Sequence, residues 1–111
     1  MTYDWKLYLC DDQGKKCFGL GPMQLLRNVS ELGSLKKAAE AMNLSYNKAL
    51  SMIKTAEKGL GFPLLDKKIG GERGGGSALT PAAWTILQQY QDFCLRLDQS
   101  AGALFQEIFG A

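Results

Sequence analysis

The stretch Gly33–Gly61, GSLKKAAEAMNLSYNKALSMIKTAEKGLG, constrains the fold most, because its punctuation leaves little choice of secondary structure. Leu35, Ala38, Ala39 and Met42 recur at helical spacing and make one apolar face. Ser34 stands at an N-cap position just after Gly33, a terminator for a preceding helix. Asn43 tolerates the left-handed conformation that ends a helix, Leu44 buries at the corner, and Ser45 caps a second helix. In that second helix Tyr46, Ala49, Leu50, Ile53, Ala56 and Leu60 are expected to face inward. Asn47, Lys48, Ser51, Lys54, Thr55 and Lys58 make the outer face, with no acid among them. A short helix, a tight corner and a second helix with a polar, basic outer face form a helix-turn-helix pattern. An ordinary helical hairpin with a solvated lysine face fits the same residues, so the flanking sequence has to decide.

On the N-terminal side, Trp5, Leu7 and Leu9 alternate with Lys6 and Tyr8 as in a half-buried strand. Asp11-Asp12-Gln13-Gly14 is turn chemistry, and Lys15 to Phe18 returns as a second strand, giving a hairpin over residues 3–20. Pro22 suits the first position of a helix, with Leu25, Leu26, Val29 and Leu32 on one face. A three-helix core over residues 22–61 results, with the helix-turn-helix at 34–60.

Beyond Gly61, Pro63 blocks helix continuation and Leu64 to Ile69 reads as a strand. The loop Gly70-Gly71-Glu72-Arg73-Gly74-Gly75-Gly76, with five glycines among its seven residues, leads to a return strand at Ser77-Ala78-Leu79.

 Strand, glycine-rich loop and strand, placed directly after a recognition-type helix, make a wing over residues 64–80. A P-loop is excluded because Gly76 is followed by Ser77-Ala78-Leu79, with no Lys-Ser/Thr and no helix start. A dinucleotide fingerprint is excluded for want of a preceding buried strand and a following ribose-binding acid.

Thr80-Pro81 is a cap followed by proline at the first helical position, opening a helix over residues 81–109. Ala83, Leu87, Tyr90, Cys94, Leu97, Ala101, Leu104 and Ile108 follow spacings of four and three, and Ile86, Phe93 and Phe105 broaden the seam. Such a helix outruns a three-helix core. Its surplus apolar surface predicts a second copy as partner, with Leu87, Tyr90, Cys94, Leu97, Leu104 and Ile108 at the dimer interface. The alternative is that the helix folds back, bending at Gly102 near Ser100.

The chain of 111 residues is one domain by length, and 46% hydrophobic with 22% charged residues suits an ordinary globular protein. No apolar run reaches the ~18 residues of a membrane span, and MTYDWK does not begin a secretory signal, so a cytoplasmic protein without membrane contact is expected. With no histidine, triad and usual acid–base chemistry are missing; no catalytic residues, metal site or cofactor are expected, and the chain is read as a non-enzyme. Three cysteines, an odd number, argue against a disulfide framework, though Cys10 and Cys17 lie near each other across the first hairpin. Charge is unevenly placed. Between Lys36 and Arg73 stand Lys36, Lys37, Lys48, Lys54, Lys58, Lys67, Lys68 and Arg73 against Glu40, Glu57, Asp66 and Glu72. That is a modest footprint for a polyanion.

These residues carry a resemblance. Phe18-Gly19 with Gly21, Leu25-Leu26, Gly33-Ser34-Leu35, Ala38-Ala39, Met42, Ser45-Tyr46, Ala49, Leu64-Leu65, Gly70-Gly71, Gly74-Gly75-Gly76 and Leu79-Thr80-Pro81 resemble the N-terminal domain of ModE-type molybdate-responsive regulators. The winged helix of those bacterial proteins is related to that of LysR-type regulators. The resemblance implies a winged helix-turn-helix, mainly α with small β, a homodimer and transcriptional control. Leu50 departs from the family's common tryptophan and Ala83 from its frequent glycine. No counterpart of the C-terminal molybdate-binding domain follows, so the expectation is a standalone version for which molybdate sensing is not carried over and the effector is unknown.

The function expected is therefore sequence-specific binding of double-stranded DNA as a homodimer on a two-half-site operator. Base contacts are assigned to Ser45, Tyr46, Asn47, Lys48, Ser51 and Lys54. Backbone contacts are assigned to Ser34, Lys36, Lys37, Lys58, Lys67, Lys68 and Arg73. Two other readings stay open: a protein-interaction module on the same scaffold without DNA readout, and a thiol-based sensor using Cys10 and Cys17.

Overall fold

The computed structural model describes residues 1–67 and 76–110. In chain order these form β1 (Leu9–Cys10), β2 (Lys16–Phe18), α1 (Leu20–Leu32), α2 (Leu35–Ala41), α3 (Tyr46–Leu60), β3 (Leu65–Lys67), β4 (Ser77–Leu79) and α4 (Pro81–Phe109). The helix boundaries follow the expected caps. Gly33 and Gly61 take left-handed conformations at φ 77° and 87°, and their N–H groups donate to Val29 and Glu57 carbonyls. Ser34, Ser45 and Thr80 accept through their side chains from the N–H groups of Lys37, Lys48 and Ala83. Asn43 adopts φ 56° at the corner between α2 and α3.

Three local expectations are corrected. The first strand is not Trp5–Leu9; only Leu9–Cys10 pairs, with a bulge, against Lys16–Phe18. The preceding residues are drawn to α4 instead: Tyr90 Oη donates to the Leu7 carbonyl at 2.8 Å, and Trp5 Nε1 donates to Asp98 Oδ1 at 3.3 Å. Helix α1 starts at Leu20, so Pro22 is its third residue, still within the first turn where N–H groups lack helical acceptors. Leu32, expected on the apolar face of α1, is exposed in the last turn before the chain reverses.

The core is built where the helices cross. Leu25, Leu26 and Val29 of α1, Leu35, Ala38 and Ala39 of α2, and Ala49, Ile53 and Ala56 of α3 are all buried. Alanines at the crossings let α1, α2 and α3 approach closely, while each fully buried leucine or isoleucine contributes about 1.5–3 kcal/mol. Phe18 closes one side, its ring edge-on to Tyr90 with centroids 5.2 Å apart.

The wing is tied to this core at its base. Strands β3 and β4 pair antiparallel in the register Leu65↔Leu79, Asp66↔Ala78 and Lys67↔Ser77. The Ser77 N–H donates to the Gly33 carbonyl at 2.9 Å, which pins β4 to the corner between α1 and α2. Thr80, buried, donates through Oγ1 to the Pro63 carbonyl at 2.8 Å while capping α4. Of the strand expected over Leu64–Ile69, Leu65–Lys67 is observed, while Lys68, Ile69 and the glycine-rich loop apart from Gly76 fall outside the described residues.

Helix α4 runs without a break through Gly102, so the expected alternative of a fold-back there does not occur. Its 29 residues stretch the molecule to 61 × 29 × 23 Å. Among the described residues no helix is long and apolar enough to cross a membrane.

Candidate nucleic-acid interface

Helix α3 presents four distinct sides. Ala49, Ile53 and Ala56 are buried, and the opposite crest carries Asn47, Ser51, Lys54 and Lys58, all exposed, at spacings of four, three and four. Tyr46, Leu50 and Glu57 lie on the flank toward the wing, sharing a cleft with Leu65, Asp66 and Ser77. Lys48, Met52 and Thr55 lie on the other flank, sharing a cleft with Tyr8, Lys16 and Pro22. Thus a polar crest projects between the wing on one side and the N-terminal hairpin on the other.

The expected base-contact residues divide accordingly. Asn47, Ser51 and Lys54 lie on the crest, and Lys48 lies beside it. Ser45 is committed to capping, its hydroxyl accepting from Lys48 N–H at 3.1 Å. Tyr46, expected both to face inward and to touch bases, is 50% exposed, so only the second role is open to it. Lys54 Nζ is 3.9 Å from Glu57 Oε1, which partly offsets its charge. Glu57 itself is half-buried and accepts from the Leu64 N–H at 2.7 Å. That bond fixes where the chain leaves α3 for the wing, a role that no periodicity in the sequence signals.

Of the expected backbone contacts, Lys36, Lys37 and Lys58 are exposed on α2 and α3, and Ser34 caps α2. Lys67 contributes its backbone to β3, whereas Lys68 and Arg73 fall outside the described residues. The hairpin lysines Lys15 and Lys16 also line clefts beside α3, a proximity that depends on packing. That packing is unusually close: a Cβ placed on Gly59 would lie 2.2 Å from the Cβ of Cys17, so glycine is required where α3 meets β2.

Two expected dimer residues belong elsewhere. Leu87 and Tyr90 face the protomer's own core at 4% and 1% exposure, so they are not free to meet a partner. The reason is that the first three turns of α4 pack against the domain before the helix projects beyond it. Farther along, the N-terminal segment covers one flank, with Tyr3 against Phe105 at 4.9 Å between centroids. Phe93, Leu104 and Ile108 remain exposed on the other flank, and Cys94 and Leu97 are half-buried.

The cysteines are free thiols. Cys17 is buried with its Sγ donating to the Leu9 carbonyl at 3.4 Å. Burial, then the Asp11 carboxylate and Cys10, push its pKa up, which disfavours the reactive thiolate.

A three-helix core with α3 standing between a wing and the chain's first hairpin defines a winged helix-turn-helix protein. Residues 20–84 match the family model described as the bacterial regulatory helix-turn-helix protein, lysR family. The chain belongs to that family. Among curated proteins it is 34% identical over 85 residues to the transcriptional regulator ModE of Haemophilus influenzae, covering 77% of this chain and 33% of that protein. It is 32% identical over 72 residues to the molybdenum-pterin-binding protein MopB of Rhodobacter capsulatus, covering 65% of this chain and 27% of that protein. The matched region thus spans a third or less of those relatives. The fold is shared with the DNA-binding domain of CbnR, solved with DNA, at a TM-score of 0.58 and 22% identity over 78% of this chain and 93% of that one. It is shared likewise with the DNA-binding domain of BenM, solved with a benA site, at 0.57 and 22% over 85% and 100%.

Proposed function

We propose that this chain is a cytoplasmic, sequence-specific DNA-binding transcriptional regulator of the ModE-like kind, acting as a homodimer. The observation that carries the reading is the α3 crest: Asn47, Ser51, Lys54 and Lys58 project as one exposed stripe opposite the buried Ala49, Ile53 and Ala56. An amide, a hydroxyl and ammonium groups on one helical ridge suit the base edges and phosphates of a major groove. Asn47, nearest the helix N-terminus, reads a base, adenine being the natural partner of its amide. Lys36, Lys37 and Lys58 hold the backbone, and the wing, including Lys68 and Arg73, lies against the neighbouring strand. The exposed Phe93, Leu104 and Ile108 form the seam of a two-fold dimer, joined by Leu97, whereas Cys94, expected there too, lies in the cleft with Trp5, Lys6 and Leu7. Two recognition helices then address half-sites about one helical turn, ~34 Å, apart.

Selection of bound sequences from a random duplex pool, followed by mobility shifts, tests this reading. A two-fold site is expected, and Asn47→Ala is expected to lose ~1–3 kcal/mol at particular base pairs only. No binding at low salt, where phosphate attraction is strongest, refutes DNA binding. Equal loss on every sequence refutes the role of Asn47.

A further inference from the structure

We propose that the β1–β2 hairpin is a second wing, which seats a phosphate of duplex DNA in the cleft between Lys16 and Lys48. The inference rests on the DNA-binding reading above and extends it to a segment outside the helix-turn-helix and the wing. Its first support is position. The hairpin docks on the flank of α3 through Cys17 and Gly59, while β3 and β4 stand toward the opposite flank. A helix entering a major groove has a phosphate strand on each side, so an element on each flank of the crest faces one strand.

The second support is chemistry. The cleft between hairpin and helix has a volume of about 270 Å³, with Lys16 on one wall and Lys48, Ser51 and Thr55 on the other. No carboxylate lines it. An adjoining cleft of about 180 Å³ holds Lys15 and Lys58 but also Asp11, and so is the poorer anion seat. Among the described residues the ion pairs are Lys54–Glu57 and Arg96–Asp92, so Lys16 and Lys48 keep uncompensated charge. Lys16 Nζ lies 4.3 Å from the centre of the Tyr8 ring, a cation–π contact that holds the ammonium without neutralising it. A phosphate in this cleft meets ammonium groups from both walls and releases counterions from the DNA.

The test measures binding to duplex DNA as a function of salt for the wild-type chain, Lys16→Gln and Lys6→Gln. Lys16 is exposed, so the substitution removes charge while circular dichroism confirms the fold. Lys16→Gln is expected to lower the slope of log K against log salt by about 0.9 and to weaken all sequences alike. Lys6, on the segment beside α4, is expected to leave the slope unchanged. If the wild-type chain binds DNA but Lys16→Gln keeps its slope, the hairpin contact is overturned while the DNA reading stands. Altered base preference in Lys16→Gln also overturns it, because a backbone contact carries no sequence information. If the wild-type chain binds no duplex at low salt, both proposals fall.

Discussion

Replacing Gly59 by alanine should reverse the usual sign of a glycine-to-alanine change within a helix. In a solvent-facing helix position the exchange stabilises by about 1 kcal/mol, because alanine loses less backbone entropy. At Gly59 the new Cβ would lie 2.2 Å from Cys17 Cβ and 2.8 Å from its Sγ. Carbon pairs settle at ~3.5–4.0 Å, so the two Cβ atoms would be at least ~1.3 Å too close. Neither atom can rotate away, since each is fixed to its backbone; either the hairpin or α3 has to move. Overpacking of this kind costs ~1–3 kcal/mol, which cancels the helical gain at the low end and leaves a net loss of up to about 2 kcal/mol at the high end. Urea unfolding measures it, and a second background isolates the cause. In Cys17→Gly, which removes the opposing Cβ, Gly59→Ala should stabilise by about 1 kcal/mol; in Cys17→Ala, which keeps it, the loss should persist. Stabilisation by Gly59→Ala in the wild-type background would refute the packing argument.

Two further outcomes follow from α4. The Tyr90 hydroxyl has its pKa pushed from 10.0 up to about 12, chiefly by burial, with the Cys94 thiol adding to the shift. The folded state therefore favours the neutral phenol: its contribution is complete below pH 10 and is lost as pH rises toward 12, at most ~1.4 kcal/mol per pH unit. Tyr90→Phe should weaken this alkaline loss and cost about 1 kcal/mol at neutral pH, where the Leu7 carbonyl loses its donor; equal pH profiles in urea unfolding would contradict the assignment. Leu104→Glu with Ile108→Glu should shift sedimentation from dimer to monomer without unfolding the core, because both side chains are exposed in the protomer. A sedimentation profile that does not change would exclude this flank of α4 as the seam.

Much of the exposed surface of α3 is legible in the sequence. The crest of α3 could be read because a capped helix of known start places Asn47, Ser51, Lys54 and Lys58 on one ridge by period alone. Tyr46 was misplaced for a reason of the same kind: as the first helical residue it lies at the edge of the inward stripe, where period does not settle burial. The role of Glu57 is not legible in the sequence, because an acid near the end of a helix finds the Leu64 N–H only once the chain has returned past it. The position of Lys16 is not legible, because nothing along the chain announces that the hairpin lies beside α3.

The sequence by itself determined the elements and their ends: Ser34, Ser45 and Thr80 as caps, Gly33, Asn43 and Gly61 as stops, and α4 as one long apolar-faced helix. These features depend on hydrogen bonds and side-chain spacings spanning only a few residues, so local order is enough to specify them. Only the tertiary structure decided how the faces were shared out. Leu87 and Tyr90 went to the core, Tyr3 and Trp5 covered one flank of α4, and Phe93, Leu104 and Ile108 were left open. Those outcomes turn on contacts such as that between Tyr90 and Leu7, 83 residues apart. Which apolar surface finds which partner is settled by the shape of the packed chain, and sequence spacing carries no record of it.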